Sequence, residues 1–273
     1  MHSTIFAVTA ILAYLAAAAS IYPSLHTDYL SAEETRRQKW ATLVFGFLAS
    51  GCHALTLSTL FDAEGDFNIG FLNTLSAAAW MIVTVLLAGA LFRPVEKLGI
   101  VVFPMAALIL VLKLSLPDAE HFLKNHSLEM RLHIVVSMLA YSFLNIAALQ
   151  AILLALQDWR LKTHHASGFV RSLPPLQTME KLLFQLIGAG FVLLSISLIT
   201  GFLFVEDLFA QHLAHKTVLS IAAWGVFAAL LGGRWFRGWR GRIAIRWTLG
   251  GFVALMLAYF GSKMVLELVL HRV

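Results

Sequence analysis

The chain has 273 residues, of which 59% are hydrophobic and 13% charged, with a mean hydropathy of +0.80. An average soluble domain carries roughly 25% charged residues, so this composition excludes a disordered chain, a collagen-like fibre and an ordinary water-soluble globule. The net charge is +5 and the one cysteine is Cys52, which excludes an internal disulfide, CxxC redox chemistry and a thiolate cluster.

Hydropathy places eight apolar segments, near residues 3–22, 40–61, 71–92, 97–116, 131–157, 180–204, 216–234 and 245–269. A membrane helix needs about 20 such residues, so eight spans of about 21 residues take up roughly 60% of the chain. Only short connections are left, and no separate soluble domain fits. None of the segments alternates with period two, which favours an all-α membrane bundle over a barrel. The expectation is a single integral membrane domain over residues 1–273. Its first segment resembles a signal peptide, but no Lys or Arg precedes it. It is therefore expected to be a retained first helix.

The connections alternate in charge. The first basic one carries Arg36, Arg37 and Lys39, the next Arg93 and Lys97, then Arg160, Lys162, Arg171 and Lys181, and the last Arg234, Arg237, Arg240, Arg242 and Arg246. These four hold 14 of the 20 bases. The positive-inside rule makes them cytoplasmic and places both termini on the extracytoplasmic side. The loops at 62–70, 117–130 and 205–215 are then external, the second with a short amphipathic piece. The stretch Arg234 to Arg242 mixes bases with Trp235, Phe236 and Trp239. Between two membrane helices this mixture serves as an interfacial anchor on lipid headgroups, not as a nucleic-acid surface.

Ionisable groups inside a membrane are expensive, so the histidines come first among candidates for chemistry. His2, His26, His164 and His165 fall near the N-terminus or in basic connections, where solvation accounts for them. The others gather toward the opposite side: His53 inside the second segment, His121 and His126 in an outer loop, His133 at the start of the fifth, His212 and His215 before the seventh, and His271 after the eighth. Neutral imidazole is a good ligand for iron, copper or zinc. No HExxH pair is present, and His212 and His215 lack a carboxylate partner. Haem iron asks for only one or two axial imidazoles beside a flat apolar slot. His53 is the deepest candidate, roughly 12 Å from the outer end of its helix at 1.5 Å per residue. It serves either as a ligand or as a buried hydrogen-bonding residue between helices. Ser137, Tyr141 and Asn145 follow His133 at intervals of four, which predicts one polar stripe along that helix. Ala140, Ser142, Ala147 and Ala148 let neighbouring helices approach, as do Gly188, Gly190 and Gly201 in the next segment. There is no GxSxG, P-loop or dinucleotide fingerprint, so no enzymatic activity is expected.

The stretch His133 to Ala148, the glycine-containing segment 180–204 and the C-terminal Gly-Trp-Arg-Gly-Arg to Tyr-Phe-Gly segment at 238–261 together resemble the cytochrome c assembly proteins of the CcsA/CcmC type. The likeness is strongest over residues 130–273. It implies a bacterial inner-membrane protein that binds or handles b-type haem near the extracytoplasmic side, with lipid, haem and another membrane protein as partners. The family's external haem ligands fall on His133 and His271, and His53 corresponds to a histidine that recurs in an early helix. The family's tryptophan-rich WGxxWxWD motif is replaced here by Phe209-Ala-Gln-His-Leu-Ala-His-Lys-Thr, and a further family histidine falls near Gly232. These departures resemble the HemX-like branch. They keep open an accessory protein without haem and a b-type electron-transfer subunit. Cofactor ligation is thus expected at His53, His133 and His271, with the metal on His53 and His133.

Overall fold

A computed structural model describes residues 2–23, 31–58, 67–68, 70–116, 122–123, 128–163, 173–204 and 211–258. Among them are eight α-helices, and they match the eight apolar segments in order. Seven are long and apolar enough to cross a membrane. The last predicted segment is described only to residue 258. The chain is a polytopic helical membrane bundle, and its described residues form two compact units. The first comprises residues 1–125 and 160–174. The second comprises residues 126–159 and 175–273.

The first unit is built on α1 (His2–Ile21), which packs against α2 (Ala32–Leu57) and α4 (Gly99–Ser115). Its buried residues Ala7, Ala10, Tyr14, Ala17 and Ile21 recur every three or four positions, so they form one face of a helix. The alanines permit close approach, and Tyr14 fills the interior. Helix α2 starts well before its apolar segment because a polar lead-in is also helical. Ser31 Oγ accepts from Glu34 N at 3.2 Å while Ser31 N donates to Glu34 Oε2 at 2.7 Å, a reciprocal capping box. Hydropathy does not register such a charged first turn. Helix α3 (Phe71–Phe92) packs on α2 and α4. A 3-10 turn at Glu96–Leu98 leads into α4, which contains Pro104. Two antiparallel residue pairs join the loops after α2 and α4, Phe67 to Leu123 and Asn68 to Phe122. Strands of two residues are too short for any alternation to be read. The rest of the predicted amphipathic piece between residues 117 and 127 lies outside the described residues.

The second unit holds α5 (Leu128–Lys162, of which residues up to 159 belong to this unit), α6 (Leu176–Phe204), α7 (Gln211–Arg237) and α8 (Gly241–Met256). Helix α5 is 35 residues long. At 1.5 Å per residue it reaches about 52 Å, beyond the roughly 30 Å hydrocarbon core. The expected small-residue contacts form between α5 and α6 at Gly190 and Gly201, whereas a methyl group on Gly188 would meet nothing within 4 Å. A methyl group on Gly190 would fall 2.7 Å from Leu144 Cγ, and Ala140, Ser142, Ala147 and Ala148 are all buried. Gln150 Nε2 donates to Met179 O at 3.2 Å across the same pair. The α7–α8 corner turns through Gly238 (φ 66°) and Gly241 (φ 53°), left-handed conformations that cost glycine nothing. Trp239 N closes the turn on Gly233 O at 3.1 Å. The outer faces of both units remain apolar, as at Leu12, Val44, Ile199 and Leu203, which suits lipid and not water.

Candidate haem site

His133, Ser137 and Tyr141 do form one stripe, and it lines a cavity in the second unit of about 240 Å³. Helix α6 contributes Leu194, Ser197 and Gly201, α7 contributes Lys216 and Ser220, and Leu255 of α8 closes another side. Asn145 is not part of the lining. Each step of four residues drifts by about 40° around a helix with 3.6 residues per turn, so the third step leaves the face that the first two share. Tyr141 instead anchors α8, with its hydroxyl on Met256 Sδ and its ring 6.3 Å from that of Phe252.

The His133 ring is held by two adjacent residues of α6. Its Nδ1 lies 2.9 Å from Thr200 Oγ1. The Thr200 hydroxyl has one proton and can place it on a backbone carbonyl, with Ile196 O at 2.9 Å and Ser197 O at 3.0 Å. Its oxygen is then an acceptor for Nδ1–H. The protonated Nδ1 leaves the lone pair on Nε2, the tautomer that a metal ligand needs. Gly201 supplies the space, because a methyl group there would sit 3.2 Å from His133 Cε1. One turn along, Ser137 Oγ is 2.7 Å from Ser197 Oγ and donates to His133 O at 2.6 Å. Thr200 was not legible as a partner, because a lone threonine in an apolar helix resembles any self-capped hydroxyl.

His53 lies in the first unit and is fully buried. Both ring nitrogens are engaged: Nδ1 is 3.0 Å from Tyr14 Oη, and Nε2 is 3.0 Å from Ser76 Oγ. Tyr14 meets the imidazole edge-on and stacks on Phe103 at 6.0 Å. Trp80 Nε1 donates to Ser50 O at 3.0 Å and Ser50 Oγ lies 3.2 Å from Thr84 Oγ1. His53 thus belongs to a polar seam joining α1, α2 and α3. Iron on either nitrogen would displace Tyr14 or Ser76. Tyr14 sits in an alanine-rich segment, and that was the available signal for its role. His271 lies outside the described residues, as do the side chains of His2, His26, His121, His126, His164, His165, His212 and His215. Among the described residues no three His, Cys, Asp or Glu side chains gather closely enough to hold a metal ion.

Comparison with known proteins agrees with this architecture. The chain is 33% identical over 267 residues to the inner membrane protein YpjD of Escherichia coli K12, covering 97% of this chain and 99% of that one. A 28.8 kDa protein from the nifR3-like 5' region of Azospirillum brasilense is 30% identical over 98% of this chain and 99% of its own length. The cytochrome c biogenesis protein CcsA of Gloeobacter violaceus is 32% identical over 87 residues, which is 31% of this chain and 26% of that protein. No solved structure matches the chain. The cytochrome C assembly protein model matches residues 40–270, across both units. This multi-pass protein of the bacterial inner membrane belongs to the cytochrome C assembly protein family.

Proposed function

We propose that the chain binds b-type haem at the His133 cavity, near the extracytoplasmic face, and serves haem handling in cytochrome assembly as a member of the HemX-like branch. The observation that carries this reading is the placement of His133: the ring borders the cavity, its Nδ1 lies 2.9 Å from Thr200 Oγ1, and Gly201 clears room for it. The family match over residues 40–270 supports a haem-related role. The chemistry of the donor set fits haem: one imidazole with a bare nitrogen, apolar walls from Leu194, Leu198 and Leu255, and hydroxyls to one side. The cavity of about 240 Å³ is smaller than the roughly 300–1,000 Å³ of typical small-molecule sites, so it would hold part of the macrocycle and not the whole. His133 would hold the haem iron, and the family resemblance assigns a second ligand to His271. Lys216 stands on the cavity wall, where a cation favours the carboxylates of an anionic ligand. Bound haem supplies an iron centre that can carry an electron or pass with its ring to an acceptor. The base-rich connections lie at the other end of α5, around Arg160 and Lys162, which puts His133 outside by the positive-inside rule.

The deciding experiment is an absorption spectrum of the detergent-purified full chain, oxidised and then reduced, after expression with ample haem. A Soret band with sharp α and β bands on reduction is expected. A colourless protein would overturn this reading in favour of an accessory protein without haem. The absence of tryptophan from Phe209–Thr217 is the observation on that side.

Thr200 offers a finer test. Thr200→Val keeps the shape and removes the acceptor, so Nδ1–H loses its partner. Haem affinity should fall about 10- to 100-fold, the usual effect of deleting a hydrogen-bond partner behind a metal ligand. Thr200→Ser should retain near-normal affinity in a haem titration of the apoprotein. Equal affinity in the valine variant would show that the contact does not position His133.

A further inference from the structure

The α7–α8 corner carries a charged surface with no role in the His133 cavity. Arg234 is structural: it donates to Glu180 Oε1 at 2.9 Å and to Trp239 O at 3.2 Å, and its guanidinium lies 4.6 Å from the centre of the Phe184 ring. Arg240 and Arg242 are different. Their side chains are 71% and 70% exposed, and their nearest acids, Glu180 and Asp158, are each 3.6 Å from Nε. Such loose exposed pairs contribute little. Arg237 and Arg246 are exposed as well. Beside them, Trp235 and Phe236 are 88% and 87% exposed. Two adjacent bare aromatics are unfavourable in water and well suited to the bilayer interface. The platform beneath is fixed, since Trp239 packs over Gly233 and lies 5.2 Å from the Trp247 ring.

We propose that this corner is a binding site for an anionic phospholipid, with the headgroup phosphate on Arg240 and Arg242 and the acyl region against Trp235 and Phe236. The charge selects the ligand. Two open guanidiniums can each donate paired hydrogen bonds to phosphate oxygens, which a single partly buried carboxylate oxygen at 3.6 Å does not satisfy. The aromatics then select a lipid over a soluble anion, because only a lipid covers them. The inference is independent of the haem proposal.

The test is native mass spectrometry of the purified full chain in non-ionic detergent, titrated with dioleoyl phosphatidylglycerol or dioleoyl phosphatidylcholine. Retention of phosphatidylglycerol over phosphatidylcholine is expected, falling as salt is raised. In Arg240→Gln/Arg242→Gln, phosphatidylglycerol binding should weaken by about thirtyfold, the effect of two interfacial bases. The control Arg36→Gln/Arg37→Gln should bind as the unaltered chain does. Equal retention of both lipids by the unaltered chain overturns the proposal, whatever the variants do. It is also overturned by an equal loss in the control pair, which would mark a general charge effect, or by displacement of phosphatidylglycerol with inorganic phosphate, which would mark a soluble-anion site.

Discussion

His133→Ala should yield a folded protein without a Soret band. The imidazole is half-buried near the start of α5 and has one side-chain partner, Thr200. Losing that hydrogen bond costs the fold about 1 kcal/mol, too little to unfold a bundle whose core lies elsewhere on α5, at Leu144, Ala147 and Ala151. For haem the loss is of another order, because among the described residues no group on the cavity wall can replace the nitrogen. The other cavity-lining polar groups are hydroxyls of Ser137, Tyr141, Ser197, Thr217 and Ser220 and the ammonium of Lys216, none of them a good neutral ligand for haem iron. The space beside Gly201 remains open, so free imidazole added to the variant should refill it and restore the band. His271→Ala is the companion variant. With His133 and its cavity still holding haem, loss of the second ligand should shift the reduced bands without erasing them. A His133→Ala protein with unchanged spectra would move the ligand elsewhere and overturn the site.

The rescue arm matters because it separates ligation from folding. A misfolded variant does not regain a haem spectrum with imidazole, and a protein that binds haem at another histidine does not lose it. The cavity draws on all four helices of the second unit, so changes confined to the first unit should leave the spectrum intact. Tyr141 adds a mechanical link, since its hydroxyl reaches Met256 on α8 from the same stripe that carries His133.

The sequence carried most of this architecture, for physical reasons that differ from element to element. Apolar runs of membrane length are unambiguous, so all eight helices were legible. Their polar ends were not: Ser31 to Lys39 is helical through its capping box, which hydropathy averages away. The His133–Ser137–Tyr141 stripe followed from helical spacing, and the same geometry explains why Asn145 drops out. Gly201 was legible as a close-packing residue. That its neighbour is the His133 ring was not, because tertiary pairing across 67 or so residues leaves no local pattern. For the same reason His53 could be singled out by depth, whereas Tyr14 and Ser76, its partners on two other helices, could not.

Those partners decide what His53 does, and they give the second large prediction. Tyr14, His53 and Ser76 are all fully buried. In His53→Ala two hydroxyls lose their shared partner in an apolar interior. Each unmet group costs about 1–3 kcal/mol in soluble proteins and about 0.6 kcal/mol on average within membranes, where the unfolded chain also finds partners. The cavity left by the ring adds to that loss. A total of about 2–4 kcal/mol is expected, read as a large drop in thermal stability in detergent. The triple variant His53→Leu, Tyr14→Phe and Ser76→Ala should recover most of it, since no polar group is then left unmet. The two roles of His53 predict opposite patterns. A polar lock across α1, α2 and α3 predicts that His53→Ala loses stability while any protein that survives purification keeps its haem bands. A ligand predicts near-normal stability with altered or missing bands. The two occupied ring nitrogens favour the lock, and a stable, spectrally altered His53→Ala protein would refute it.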